Sequence, residues 1–350
     1  MVYRRLGNSG MQVSRLGMGC WAFGGGAYWG AQNQRDVEEV VRAALDAGIN
    51  YFDTAEVYND GASEKSLGDA LAGRRGEAVI GTKVSTSNAR AKDLIAHCEA
   101  SLKRLGTDYI DLYMLHWPIN KTAIRHFSSD ADITAHPPTV IEAFEAMQAL
   151  QRAGKIRAIG LSNHGVRQMR EVSATGVTVV ANEMPYNLIS RAIEKEVIPF
   201  CESQDIAIIG YMALQQGVLA GIYPTMDDIP PAQAHSRHFA QARGGAESRH
   251  FEQGAEPQIQ ALLDAMKRIA DEAGLTIAAL ALAWAMDNQA IASTLVGSRD
   301  IAQLHENLAT SSVTLSPDVV DALNAASQPV WDALGDSPDY YENRRDSRIY

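Results

Sequence analysis

Four residues of types that move protons lie at or just beyond the ends of three short apolar runs. Asp53 closes "INYFD", Lys83 stands in "VIGTKV", His116 closes "IDLYMLH", and Tyr58 follows Asp53 by five residues. A buried strand does not tolerate an ionisable residue unless that residue is paired or used. Each alone has an ordinary reading. Asp53 before Thr-Ala suits a cap of the next segment, a lysine at a strand end points to solvent, and a histidine before Trp-Pro is commonly structural. At matching ends of successive strands, however, they would meet at one rim, with Tyr58 an exposed phenol hanging over it. A phenol is a weak acid, with an unperturbed pKa of about 10. An adjacent ammonium stabilises phenolate and lowers that value. A carboxylate keeps the ammonium charged and placed, and an imidazole orients a carbonyl oxygen. Such a set passes a proton to or from an oxygen whose carbon changes oxidation state. No side chain supplies the accompanying hydride, so the chemistry requires a nicotinamide cofactor.

The elements that must position these residues are read from the alternation of strand-like and helix-like runs. Strands are expected at Val13–Gly19, Asn50–Asp53, Ala78–Lys83, Ile110–His116, Ile156–Leu161, Val179–Glu183, Ala207–Tyr211 and Ile291–Val296. Amphipathic stretches lie between them at Asp36–Ala47, Ala91–Leu105, Thr139–Ala153 and Val166–Thr175, some followed by a capping glycine such as Gly48 or Gly154. Strand-then-helix order repeated eight times predicts an α/β protein, a closed (β/α)8 TIM barrel. With no break in composition, residues 1–350 read as one barrel domain. Two connections after strands, 118–138 and 222–257, are long loops for the C-terminal face, where barrel enzymes keep their active sites. The less favoured alternative is that they are merely disordered insertions. The polar, aromatic tail 330–350 is expected to fold back over the same face.

Composition excludes several classes. A formal net charge of −11 speaks against nucleic acid or an anionic membrane as partner. Three widely separated cysteines, Cys20, Cys98 and Cys201, suit reduced thiols better than a disulfide framework. The N-terminal segment has no signal-peptide core, and the most apolar run, Leu275–Met286, is about half a bilayer span. The expectation is a soluble, cytoplasmic protein acting on a small-molecule carbonyl or alcohol.

The motifs "GCWAFGG", "FDTAEVY", "GTK", "LHWP", "GLSNH", "PYNLISR", "LQQGVLAG" and "VGSRDIAQLHENL" run in this order over nearly the whole chain. Together they resemble the aldo-keto reductase superfamily. The resemblance implies a (β/α)8 barrel and NAD(P)H-linked interconversion of carbonyl and alcohol. It implies Tyr58 as general acid/base, Asp53 and Lys83 as its tuning pair, and His116 as orienter of the substrate.

No "GxGxxG" follows the first strand, so the dinucleotide fold with that fingerprint is not indicated. The resemblance places the cofactor across the barrel mouth instead. Ser162 and Asn163 would hold the nicotinamide carboxamide, although a Ser-Asn pair also suits a helix cap, and Tyr211 would stack on the ring. Leu214, Gly217, Leu219 and Gly221 would meet the pyrophosphate, where glycine allows close approach. Gly297, Ser298, Arg299, Gln303, Glu306 and Asn307 would take the adenosine end. Ser298 and Arg299 at a helix N-terminus suit a 2′-phosphate, which favours NADP(H) over NAD(H); Arg299 stacked on adenine in an NAD(H) enzyme is the alternative. Trp21, also near the nicotinamide, and Trp117 match pocket-lining aromatics, while Trp29 suits either the pocket or the barrel's outside. Such walls fit small sugars, polyols or aldehydes. His164 is expected to support its loop, with reach into the pocket as the alternative.

One position departs from the family pattern. Glu183 stands where most relatives carry the glutamine that bonds the carboxamide. An ionised glutamate only accepts hydrogen bonds, and its charge would favour the cationic oxidised ring over the neutral reduced one. A protonated Glu183, or one turned toward Lys83 or Arg191, would not. Two rival functions share the barrel: a Schiff-base aldolase using Lys83, and a non-catalytic regulatory subunit.

Overall fold

The computed structural model describes residues 1–350. Eight parallel strands close into a barrel: β3 (Leu16–Gly19), β4 (Tyr51–Asp53), β5 (Val79–Val84), β6 (Ile110–Leu115), β7 (Ile156–Ser162), β8 (Val179–Pro185), β9 (Ala207–Tyr211) and β10 (Ile291–Val296), which returns to β3. Helices separate the strands and pack around the outside, as a parallel crossover requires.

Each strand is buried on both sides, and its alternate residues go to different cores. Phe52, Ile80, Tyr113, Leu115, Ile159 and Ile208 pack outward into the large core shared with the helices. Tyr51, Leu112, Met114, Ala158, Ala181, Ile209 and Leu295 form the smaller core of the lumen. Because side chains alternate along a strand, the lumen set fixes the direction of the residues two places further along. Asp53 comes two residues after Tyr51, Lys83 two after Gly81, His116 two after Met114, Glu183 two after Ala181 and Tyr211 two after Ile209. Each therefore points up the lumen at the C-terminal rim. Gly81 is required here, since a Cβ would lie 2.4 Å from the Tyr51 hydroxyl.

A hairpin of β1 (Tyr3–Arg5) and β2 (Gln12–Ser14) closes the floor, where Leu6 and Val13 join the lumen core. Gly7, at φ +51°, runs so near β8 that a Cβ would stand 2.2 Å from the Val180 carbonyl oxygen. The single strand expected over Val13–Gly19 is thus two, β2 and β3, with Arg15 at the corner between floor and wall. The remaining strands lie within two residues of expectation at each end, and the helix Ala91–Leu105 has the expected bounds.

Both long connections carry short helices, Lys121–Phe127 and Ala131–Ala135 in the first and Gln241–Gly244 in the second. The run Leu275–Met286 lies largely in a core helix, Ile277–Asp287, buried from Leu280 to Met286. No single helix is long and apolar enough to cross a membrane.

The tail lies across the C-terminal face. Arg348 is fully buried, donates to both Asp339 carboxylate oxygens at 2.9 and 2.7 Å, and sits 3.5 Å over the Trp117 ring. The Arg348 carbonyl accepts from Gln168 (2.7 Å) and Asn120 (3.0 Å), and Gln168 also holds Tyr350. A charge pair so placed is strongly coupled to its surroundings: removing one partner would strand the other.

Candidate active site

Lys83 occupies the centre of the rim and is fully buried. Its ammonium donates to both Asp53 carboxylate oxygens at 2.6 Å, to the Thr54 carbonyl at 3.0 Å and to the Tyr58 hydroxyl oxygen at 3.3 Å. Glu183 Oε1 stands 3.4 Å from the same nitrogen. Burial disfavours the ammonium, but Asp53, Glu183 and Tyr58 outweigh it and raise the Lys83 pKa above its ordinary value. Lys83 therefore stays charged.

Tyr58 is half-buried, not the exposed phenol the sequence suggested. The chain from Val57 turns through Asn59 and Asp60, both at positive φ (51° and 54°), and Asn59 bonds the carbonyls of Trp21 and Phe23. Those bonds hold the Tyr58 ring 5.9 Å from Trp21 and 5.7 Å from His116, centroid to centroid. Burial raises the phenol pKa above its usual value despite the pull of Lys83. This reverses the expectation that the ammonium alone decides it: desolvation of phenolate is the larger effect. Tyr58 rests as a neutral phenol whose oxygen accepts from Lys83, leaving its own hydrogen to be donated.

His116 is also neutral, because burial, then Lys83, His126 and Arg348, hold its pKa well below the ordinary range. Its Nδ1 is buried without a partner. Glu183 faces Lys83 and Asp53, while Arg191 pairs with Glu194 instead. Burial and then Asp53 push the Glu183 carboxyl well above the usual range. Both effects oppose the fixed negative charge expected at this position.

Around these residues lie the positions expected to hold a cofactor. Asn163, at φ +61°, donates to the His116 carbonyl (3.2 Å) and Ser162 Oγ (2.9 Å), and accepts from the Tyr211 hydroxyl (2.7 Å). It ties the ends of β6, β7 and β9 together. His164 is buried, its ring at 2.8 Å from the Ser162 carbonyl, so it supports this loop. Leu214, Gly217, Leu219 and Gly221 lie along the turn after β9, in which Gln215, Gln216, Gly217 and Gly221 have positive φ. Gly297, Ser298 and Arg299 lead into the helix Ile301–Thr310, whose exposed Gln303 and Glu306 and half-buried Asn307 face the same end. Asn307 donates to Ser298 Oγ at 3.0 Å, and Gln303 Oε1 accepts from the Arg299 backbone at 2.9 Å. Arg299 itself donates to Gln32 Oε1 (2.9 Å) and the Ala31 carbonyl (2.7 Å).

Trp21 and Trp29 belong to one aromatic wall above Tyr58. Trp21 stacks on Tyr28 at 5.0 Å and meets Trp29 edge-on at 5.2 Å. Trp117 is 6% exposed beneath Arg348, so it supports the tail at the pocket's edge. Sequence reasoning missed Tyr28, which lies in the same loop as Trp29, and Phe127, 5.5 Å from His116. It also missed Arg348, which carries no local signal.

Comparison with known proteins agrees with this geometry. The model of the Aldo/keto reductase family matches residues 15–328. Aldo-keto reductase YhdN of Bacillus subtilis is 31% identical over 96% of both chains. The NADH-specific methylglyoxal reductase of Escherichia coli is 30% identical, over 89% of this chain and 94% of its own. Among solved structures, an aldo-keto reductase from Klebsiella pneumoniae in complex with NADPH superposes with a TM-score of 0.70 at 26% identity, covering 100% of this chain and 99% of its own. The glycerol dehydrogenase of Gluconobacter oxydans does so with a TM-score of 0.72 at 25% identity, over 95% of both. With a family match across most of its length and an enclosed Lys–Asp–Tyr–His cluster at the barrel mouth, this chain belongs to the aldo/keto reductase family and is an NAD(P)H-linked oxidoreductase of carbonyls and alcohols.

Proposed function

We propose that residues 1–350 act as one barrel domain, in the cytoplasm, reducing small polar aldehydes and ketones with NADP(H). Tyr58 serves as proton donor, Lys83 and Asp53 fix and charge its surroundings, and His116 orients the carbonyl. The observation that carries the reading is the Lys83 ammonium, held by both Asp53 oxygens and donating to the phenol oxygen. A carbonyl oxygen accepting the Tyr58 hydrogen gains negative charge as hydride arrives at its carbon. Lys83, directly behind the phenol, stabilises the phenolate left behind. Neutral His116 contributes a hydrogen bond without competing for that proton. The cofactor would supply the hydride. Ser162, Asn163, Glu183 and Tyr211 would surround its nicotinamide, and the orphaned Glu183 Oε2 suits an amide donor there. The aromatic wall of Trp21, Tyr28 and Trp29 suits the C–H face of a short sugar or an aromatic aldehyde.

The same lysine argues against a Schiff-base aldolase, since that nucleophile must be neutral and reachable, and Lys83 is neither. Incubation with glyceraldehyde and borohydride is expected to leave Lys83 unmodified, while NADPH is oxidised by the same aldehyde. A trapped Lys83 adduct without cofactor turnover would establish the aldolase instead. No turnover of either kind over a panel of aldehydes and sugars would favour a regulatory subunit.

NADP(H) is preferred in this reading because Ser298 and Arg299 stand at the N-terminus of the helix Ile301–Thr310, where dipole and cation both favour a phosphate. Arg299→Ala is expected to weaken NADP⁺ binding by about 10- to 100-fold, the worth of a charge-assisted hydrogen bond, and NAD⁺ binding hardly at all. Equal weakening in equilibrium titrations of the two would place Arg299 on adenine or ribose.

A further inference from the structure

Two buried carboxyls share one buried ammonium at the rim. Asp53 holds the nearer place, with both oxygens 2.6 Å from Lys83, and Glu183 the farther, at 3.4 Å with its other oxygen unpartnered. The two carboxyl residues are 3% and 2% exposed, so neither charge is relieved by water. One ammonium balances one carboxylate; a second negative charge in the same enclosure would go uncompensated.

We propose that Glu183 is a proton-carrying group of this site, neutral while Lys83 is the one cation that it shares with Asp53 and ionised when the oxidised cofactor brings a second. The proposal rests on the cofactor reading of this site. The exchange balances simply: protonated Glu183 plus oxidised cofactor gives the carboxylate with the cation beside it and one proton released to solvent. The reduced cofactor, neutral at its ring, leaves the proton where it was. Glu183 thereby makes the affinity for the oxidised form, and not for the reduced form, rise with pH.

The neighbours leave Glu183 as the group that responds. From β4 it meets Asp53 and Tyr51, from the loop after β4 Tyr58, from β5 Lys83 and from β9 Tyr211, while on the β7 side its carbonyl accepts from Asn163 N and Ser162 Oγ. Burial raises all three phenols, which therefore stay neutral. Lys83 stays charged and is most tightly held by Asp53. Asp53, held at 2.6 Å by Lys83, lies near enough that its charge favours the protonated form of Glu183. A cation at the mouth acts against burial and against Asp53, the two causes that keep that proton in place.

Linkage sets the sign. Binding that lowers the pKa of a group releases up to one proton, and affinity then rises by up to about tenfold per pH unit between the lowered and the original value. Dissociation constants for NADP⁺ and NADPH should be measured between about pH 6 and 9, with proton release followed in weakly buffered indicator solution. The same two phosphorylated ends are present in both ligands, so their titration cancels in the ratio. The wild-type ratio is expected to shift toward NADP⁺ as pH rises, by roughly threefold or more per unit, with protons released by NADP⁺ alone. Glu183→Gln, close to isosteric, is expected to abolish both effects, and Tyr58→Phe to keep them. A wild-type ratio independent of pH overturns the proposal even if Glu183→Gln fails to fold. Release that persists in Glu183→Gln also overturns it, because the proton then comes from another group. If neither cofactor form binds the wild type, the cofactor reading fails first and the proposal with it.

Discussion

Tyr58→Phe is expected to lower kcat for carbonyl reduction by about 10²–10⁴-fold, the usual contribution of a positioned general acid. Little else should change. The phenol oxygen accepts one long hydrogen bond, 3.3 Å from Lys83, and the ring keeps its place between Trp21 and His116. Lys83 retains both Asp53 oxygens and the Thr54 carbonyl, so no charge is orphaned and stability should fall by no more than about 1 kcal/mol. NADP(H) affinity should stay within roughly threefold, since losing a single neutral hydrogen bond costs no more. Wild-type reduction should not lose rate with rising pH up to the ordinary phenol value of about 10. Burial holds Tyr58 protonated beyond that value. Steady-state kinetics of the variant with cofactor titration separates the two effects. Near-normal kcat would remove Tyr58 from the proton path and leave the Lys83–Asp53 pair without its catalytic reading.

The parts of this site that were legible in the sequence share one property. Asp53, Lys83 and His116 each interrupt an apolar run at its end, and the alternation before them fixes which way they point. The helix Ala91–Leu105 was legible for a similar reason, having an apolar stripe and Gly106 as its left-handed cap. A corner without a turn residue is easily read through. Val13–Gly19 reads as one strand because no glycine or proline interrupts it at Ser14–Arg15, although the chain there passes from floor hairpin to barrel wall and the apolar phase slips by one, from Val13 to Leu16 and Met18. Burial of Tyr58 depends on Asn59 reaching Trp21 and Phe23, more than thirty residues away in sequence. Arg348 meets Trp117 at a separation larger still, in a tail whose composition resembles any polar terminus. Glu183 was visible as a departure, but its state was not. That state depends on which carboxyl lies nearer to Lys83, a difference of less than an ångström.

Lys83→Met is expected to reduce turnover about as severely as loss of Tyr58, and in addition to destabilise the fold by about 3–5 kcal/mol at neutral pH. The second effect separates the lysine's two roles. Methionine fills much the same volume but leaves Asp53 and Glu183 facing each other in an enclosure without a cation. Burial already raises both carboxyls, and without Lys83 they rise further above their unfolded values, which are roughly 4. A group whose folded pKa is raised stabilises the fold below its unfolded pKa, and that contribution is lost as pH rises through the folded value. The deficit of the variant should therefore be smallest near pH 4 and grow toward neutrality. Adding Asp53→Asn removes one of the two stranded acids. The double variant should thus regain stability, and its deficit should lose most of its pH dependence, while turnover stays low because the phenol still lacks its ammonium. Chemical denaturation of the wild type, the single variant and the double variant at several pH values tests this directly. A deficit independent of pH, or one that Asp53→Asn does not relieve, would mean that Lys83 supports the barrel by filling space and not by holding Asp53, and the electrostatic account of the site would have to be abandoned.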